Sequence, residues 1–248
     1  MSAVVLITGA SRGIGAATAL LAARAGYAVA VNYAANSLAA DEVVRQIRQA
    51  GGTAMAVQAD VADESQVLKM FEKVDAKLGR LTALVNNAGV VDQTSRVDAM
   101  SMARFKRMFE INVYGSFVCA REAVRRMSTR HGGTGGTIVN LSSVAARLGA
   151  PSQYVDYAAA KGAIDSFTVG LAKEVAAEGI RVNAVRPGII DTDIHASGGL
   201  PDRAREMAPQ VPMQRPGSAE EVARSILWLM SPESSYTTGT VLDVTGGR

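Results

Sequence analysis

The run Val4-Val5-Leu6-Ile7-Thr8-Gly9-Ala10-Ser11-Arg12-Gly13-Ile14-Gly15, continued by the helix-forming residues 16–25, decides the fold. A short apolar strand passes through a glycine-rich turn into a helix. Glycines at 9, 13 and 15 permit a tight turn, close approach of a pyrophosphate to the backbone, and a helix N-terminus aimed at it. The spacing is GxxxGxG rather than the commoner GxGxxG. Such a turn gains weight from its place between a first strand and a first helix; the alternative is an ordinary strand-to-helix turn.

Outward from this turn, short β-branched runs at 4–8, 28–33, 54–59, 83–86, 137–141, 181–185 and 241–244 alternate with longer amphipathic stretches such as 38–50 and 65–78. Near-continuous apolar strands separated by helices predict an α/β fold: one doubly wound Rossmann-type domain over residues 1–248, with a seven-stranded parallel sheet and helices on both faces. A length of 248 residues and 48% hydrophobic content allow a substantial core, and no linker composition divides the chain. Basic residues (26) and acidic residues (23) are interspersed, for a net charge of +3, so a nucleic-acid partner is not expected. Cys119 is the only cysteine, which excludes an intramolecular disulfide and thiolate-cluster metal sites; no metal is expected, and its apolar neighbours argue against a catalytic thiol. No leader or membrane-length apolar run is seen, which predicts a soluble cytoplasmic protein without a membrane partner.

Tyr157 and Lys161 lie four residues apart in Tyr154-Val155-Asp156-Tyr157-Ala158-Ala159-Ala160-Lys161. On a helix that spacing puts both on one face, where the ammonium can favour a phenolate. A free phenol titrates near ~10, too high for efficient proton exchange at neutrality, so an acid–base tyrosine needs such a cation. The alternative is a packed tyrosine beside a solvated lysine. Tyr154 has Ala158 at its i+4 position and is assigned to the pocket rim.

At the cofactor end, the second strand finishes Val29-Ala30-Val31-Asn32-Tyr33-Ala34, with no carboxylate until Asp41. A free ribose 2′-hydroxyl is usually held by an acid at this point. Arg12 in the glycine turn suits a 2′-phosphate instead. Asn32, Tyr33 and Ser37 complete the candidate set, with Asn32 and Ser37 as donors, and NADP(H) is favoured over NAD(H).

With these residues in view, the chain resembles the short-chain dehydrogenase/reductase family along essentially its whole length. Seven motifs occur in order: the 8–15 glycine turn; Asp60-Val61; Asn86-Asn87-Ala88-Gly89; Asn112; Ser142-Ser143; Tyr157/Lys161; and Pro187-Gly188-Ile189-Ile190-Asp191-Thr192. The resemblance implies a carbonyl–alcohol oxidoreductase acting on a small molecule, with Asn112, Ser143, Tyr157 and Lys161 catalytic. Tyr157 would exchange the proton, Lys161 lower its pKa and hold the nicotinamide ribose, Ser143 bind the reacting oxygen, and Asn112 hold a relay water. Cofactor contacts would come from Gly9, Ser11, Arg12, Gly13, Ile14, Gly15, Asp60 and Val61 (adenine), from Asn87, Ala88 and Gly89 (ribose), and from Pro187, Gly188, Ile190 and Thr192 (nicotinamide side). Ser143 fits the usual serine-to-tyrosine spacing better than Ser142, with Arg147, Pro151 and Gln153 shaping the entrance.

Within the family the chain looks most like 3-oxoacyl-carrier-protein reductases and glucose 1-dehydrogenase-like enzymes. Glu178 before Gly179-Ile180 would repel an acidic carrier, whereas Arg126, Arg130 and His131 could attract one. Residues 193–201 look like a lid, on which His195 meets substrate or solvent. The excess apolar surface on 102–127 and 157–175 implies two-fold packing, and a second contact through Trp228 and strand 241–244 would complete a homotetramer. A binding-only protein that retained the fold and lost the chemistry is the reading from a different class.

Overall fold

Alternate residues of the first strand, β1 (Val4–Ile7), point to opposite sides of the sheet and enter two separate cores. Val4 and Leu6 pack with helices α3 (Glu64–Leu78), α5 (Gly115–Met127) and α7 (Val155–Val175), through Val67, Phe71, Cys119, Met127 and Val175. Val5 and Ile7 pack with α1 (Gly13–Arg24), α2 (Ser37–Gln49) and α10 (Ala219–Met230), through Ala19, Val43, Val222 and Ile226. Burial on both faces explains why these strands read as continuous apolar runs. The computed structural model describes residues 3–248, apart from the side chains of His195 and Ser197.

The parallel sheet has seven strands, in the order β3 (Ala54–Gln58), β2 (Ala28–Tyr33), β1, β4 (Leu81–Asn86), β5 (Gly136–Leu141), β6 (Ile180–Pro187) and β9 (Val241–Val244). Strand order reverses between β1 and β4, which opens a crevice at their C-terminal ends where an open α/β sheet takes its ligand. Helix entry is set by local caps. The Asn36 side chain accepts from Ala39 N, Asp63 from Ser65 N and Gln66 N, and Ser218 forms a capping box with Glu221. Each such cap is worth about 1 kcal/mol.

Two departures from the expected elements stand out. The stretch 102–127 is not one helix: α4 (Met102–Phe109) and α5 are joined by a π-helical turn, Glu110–Tyr114, and Asn112 lies inside it. A second, two-stranded parallel ribbon, β7 (Ile190–Asp191) with β8 (Gly217–Ser218), is too short to leave a periodic signal. Short helices α6 (Ala145–Leu148), α8 (Ile194–Ser197) and α9 (Arg203–Met207) border the crevice. No described helix is long and apolar enough to cross a membrane.

Candidate active site

The glycine turn is held shut by the chain that leaves β4. Asn87 Nδ2 donates to the carbonyls of Thr8 (2.8 Å) and Gly9 (2.9 Å), and the Thr8 hydroxyl accepts from the backbone N–H groups of Asn87 and Ala88. Gly9 has φ +61° and Gly15 lies against the same amide: a Cβ on Gly15 would stand 2.5 Å from Asn87 Nδ2 and 2.6 Å from Gly9 O. These positions need glycine for space as much as for conformation. The backbone therefore forms an open cradle at the start of α1, as a bound pyrophosphate requires.

Two cavities of about 520 and 530 Å3 share Ile14, Asn87, Gly89, Thr192 and Ile194, so they form one cleft along the C-terminal edge of the sheet. The first takes Gly9, Ser11, Arg12, Gly13, Asn32, Tyr33, Asp60, Val61 and Ala88. The second takes Ser143, Tyr157, Lys161, Pro187, Gly188 and Ile190. Of the candidate residues, Gly15, Ser37 and Asn112 line neither cavity.

At the second cavity α7 presents Tyr157 and Lys161 on one face, with the Lys161 ammonium 5.6 Å from the centre of the Tyr157 ring. Lys161 Nζ donates to the Leu141 carbonyl at the end of β5 (2.7 Å). Burial lowers the lysine to about 8, opposed in part by Asp165 one turn along the helix. The phenol moves in the other direction: the surrounding protein pushes Tyr157 up to about 12, and only a hydrogen bond with Ser143 opposes this. The expected lowering of the tyrosine pKa by Lys161 is thus not seen; the ammonium is turned to a carbonyl and the phenol stays protonated. The two serines divide as their spacing suggested. Ser142 is buried, its hydroxyl donating to the Lys161 carbonyl (3.3 Å), whereas Ser143 faces Tyr157.

Asn112 is fully buried, and its amide is spent within the fold. Nδ2 donates to the Val90 and Met108 carbonyls (both 3.0 Å), and Oδ1 accepts from Val90 N (3.2 Å). It reaches the site through Gly89, where a Cβ would lie 2.8 Å from Asn112 Oδ1 and 3.5 Å from Lys161 Nζ. The side chain ties the π-turn to the loop after β4, so holding a water by its side-chain amide is not the role this geometry gives it. Beneath it, Asn86, Asn140 and Thr168 form a buried side-chain ladder across β4, β5 and α7, with both contacts at 2.9 Å.

Other expectations also change. The Asn32 amide is buried and donates to the Val57 and Ala59 carbonyls while accepting from Gly9 N, so it braces the turn and cannot serve as an exposed phosphate donor. Tyr154 is a buried wall rather than a rim. Glu178 accepts from Ser128 and Arg130, and Arg126 is held by Asp75 and Glu122, so neither carries the free charge assigned to it. The Cys119 thiol is buried and pushed up to about 12, which makes it inert. The side chain of His195 lies outside the described residues. Contributors not legible beforehand include Asn36 and Arg107 in the first cavity, and Arg203, Met207 and Arg248 in the second. Among them only Asn36, as a helix-cap residue type before α2, carried a local signal.

A family model described as "Enoyl-(Acyl carrier protein) reductase" matches residues 9–248. An uncharacterized oxidoreductase of Escherichia coli, YgfF, is 56% identical over 246 residues, covering 99% of this chain and all of that protein. A 3-oxoacyl-[acyl-carrier-protein] reductase of Synechocystis is 40% identical, covering 98% and 96%. The crystal structure of a short-chain type dehydrogenase/reductase from Mycobacterium marinum superposes with a TM-score of 0.92 at 36% identity, covering 99% of this chain and 94% of that one. Matches of this extent, on a sheet whose order reverses above a glycine cradle, leave one assignment: the chain belongs to the short-chain dehydrogenase/reductase family of oxidoreductases.

Proposed function

We propose that the chain is an NADP(H)-dependent enzyme that interconverts a carbonyl and a secondary alcohol. The observation that carries this reading is the convergence of Ser143, Tyr157 and Lys161 on one cavity continuous with the glycine cradle. The nicotinamide, when bound, supplies or accepts the hydride. Tyr157, protonated at neutral pH, gives its proton to the carbonyl oxygen, and Ser143 donates to the same atom as charge develops there. Lys161, cationic below about pH 8, stabilises that charge and anchors the nicotinamide ribose. Asn112 positions Gly89 beside the lysine.

Arg12 lining the first cavity, together with the absence of a carboxylate at the end of β2, supports NADP(H) over NAD(H). The test is turnover of a panel of ketones, aldehydes and sugars, in both directions, with both cofactors. Arg12→Ala should cost about tenfold or more in kcat/KM with NADPH, the scale of a hydrogen bond to a charged group. A wild type that prefers NADH would refute the cofactor assignment. Tight NADPH binding with no turnover would favour the binding-only reading.

A second reading, reduction of a 3-oxoacyl group on a carrier protein, rests on the similarity to a relative named as such a reductase; the Arg130–Glu178 pair removes the repulsion expected there together with one of the attractive charges. Turnover of acetoacetyl-carrier protein separates the two. Met102, Tyr114, Phe117 and Val169 are exposed on α4, α5 and α7 with the turn between them, as is Trp228 on α10, which supports assembly into a homotetramer.

A further inference from the structure

The cavity that holds Tyr157 has mostly apolar walls, among them Val91, Leu148, Pro151, Ile189 and Met207. Besides Lys161, the cationic side chains lining it are Arg203 and Arg248, and no aspartate or glutamate side chain among the described residues lines it. Arg203 is held there by neutral groups. Its Nη2 donates to Gln153 Oε1 (2.6 Å), and its guanidinium carbon lies 5.4 Å from the centre of the ring of buried Tyr154. It makes no ion pair among the described residues, although Arg205 on the same helix pairs with Asp202, and Arg215 and Arg147 pair with Glu221 and Asp243. Stacking occupies the flat face and one N–H is spent on Gln153, which leaves much of the planar fork for an anion.

Gln153 is itself held in place at some cost. Ala150 (φ 45°) and Ser152 (φ 59°) are non-glycine residues in the left-handed region on either side of Pro151, and the Gln153 carbonyl accepts from Ser95 N (3.0 Å). Backbone strain of this kind persists where the surrounding structure enforces it, and it gathers at ligand sites. Next to these residues the Gln153 amide oxygen accepts from Arg203, and both side chains belong to residues that line the reaction cavity.

We propose that the substrate carries a carboxylate on an otherwise apolar framework, and that Arg203, oriented by Gln153 and Tyr154, binds that carboxylate while the carbonyl or alcohol end meets Tyr157. This rests on the oxidoreductase reading above and narrows it from any ketone to an oxo or hydroxy acid. The phosphate of a pantetheine arm offers related chemistry. A small acid fits better, because Arg203 is seated on a buried wall of a cavity of only about 530 Å3.

The test uses the full chain, with and without NADPH. Calorimetry compares cyclohexanecarboxylate with its neutral isostere cyclohexanecarboxamide, and turnover compares 4-oxocyclohexanecarboxylate with cyclohexanone. The acid should bind about tenfold to a hundredfold more tightly than the amide, and its ketone should lead in kcat/KM by a similar factor, the scale of a charge-assisted pair. Arg203→Met should bring both ratios to near one. Arg203→Gln, which keeps a polar group beside Gln153, should do the same while preserving the fold. Equal affinity for acid and amide, or a preference that survives both variants, overturns the proposal. Turnover of acetoacetyl-CoA that depends on Arg203, alongside indifference to the small acid, overturns it in favour of a pantetheine phosphate. An Arg203-dependent preference for the acid without turnover of any substrate would uphold the anion site and refute the oxidoreductase reading alone.

Discussion

Replacing Arg104 with methionine should destabilise the chain by about 3 kcal/mol, because it strands a buried charge in the first turn of α7, next to Tyr157. Arg104 on α4 grips Asp156 with two bonds, Nε to Oδ2 at 2.7 Å and Nη2 to Oδ1 at 3.1 Å, and the two side chains are 10% and 0% exposed. Its third contact, Nη1 to the Gln93 carbonyl at 2.6 Å, ties the loop after β4 to the same point. Removing one partner of a buried pair costs about 3–5 kcal/mol. Asp156 lies in the first turn of α7, where the helix N-terminus returns up to about 1 kcal/mol to a stranded carboxylate. The melting temperature should therefore fall by roughly 6–12 °C for a chain of this size. Because Asp156 directly precedes Tyr157, kcat should drop as well. The assay is thermal and urea unfolding of wild type, Arg104→Met, Asp156→Asn and the double variant. The double variant should recover much of the loss, since exchanging a whole buried pair for uncharged groups costs far less than breaking it. A single variant within about 1 kcal/mol of wild type, or a double variant as unstable as the sum of the singles, refutes the reasoning on this pair's energetics.

Tyr157→Phe keeps the packing and loses the hydroxyl, so turnover should fall by about two to four orders of magnitude with cofactor affinity largely intact; more than a tenth of wild-type turnover would sink the assignment. For reduction both Tyr157 and Lys161 act protonated, and protonated fractions are lost above the pKa. With Lys161 at about 8 and Tyr157 at about 12, kcat/KM should be level below pH 8 and fall about tenfold per unit above it; a level profile up to pH 10 contradicts the role of Lys161. Assembly is better probed at Val169, which is exposed, than at Phe167, whose ring stacks on Phe117 of the same chain at 3.7 Å. Val169→Asp should lower the light-scattering mass and the activity together, and a wild type of 25.9 kDa, one chain mass, would refute the tetramer.

Residues a few positions apart along the chain were enough to read much of this protein. The unbroken apolar run Val4-Val5-Leu6-Ile7 predicted a strand buried on both faces, the 8–15 glycine spacing predicted the cradle, and the interval from Tyr157 to Lys161 predicted a shared helix face. Each is a local signal, an apolar run, a glycine spacing or the 3.6-residue period of a helix, and needs no help from the rest of the fold. The serine choice rested on the spacing usual in the resembling family, and the fold turns Ser143 to Tyr157 and Ser142 to the Lys161 carbonyl. What tertiary structure decided was where polar groups spend their hydrogen bonds. Asn32 reads as an available donor until β3 supplies the carbonyls that consume it, and Asn112 reads as a helix residue until Val90 takes its amide. Direction of titration belongs here as well. The helix spacing puts an ammonium near a phenol, but burial dominates both groups and drives them apart, to about 8 and about 12. Arg104 meets Asp156 across 52 residues and Arg203 meets Gln153 across 50. No periodicity spans such distances; the contacts exist because packing seven strands between two helical layers brings the loops at one edge of the sheet together.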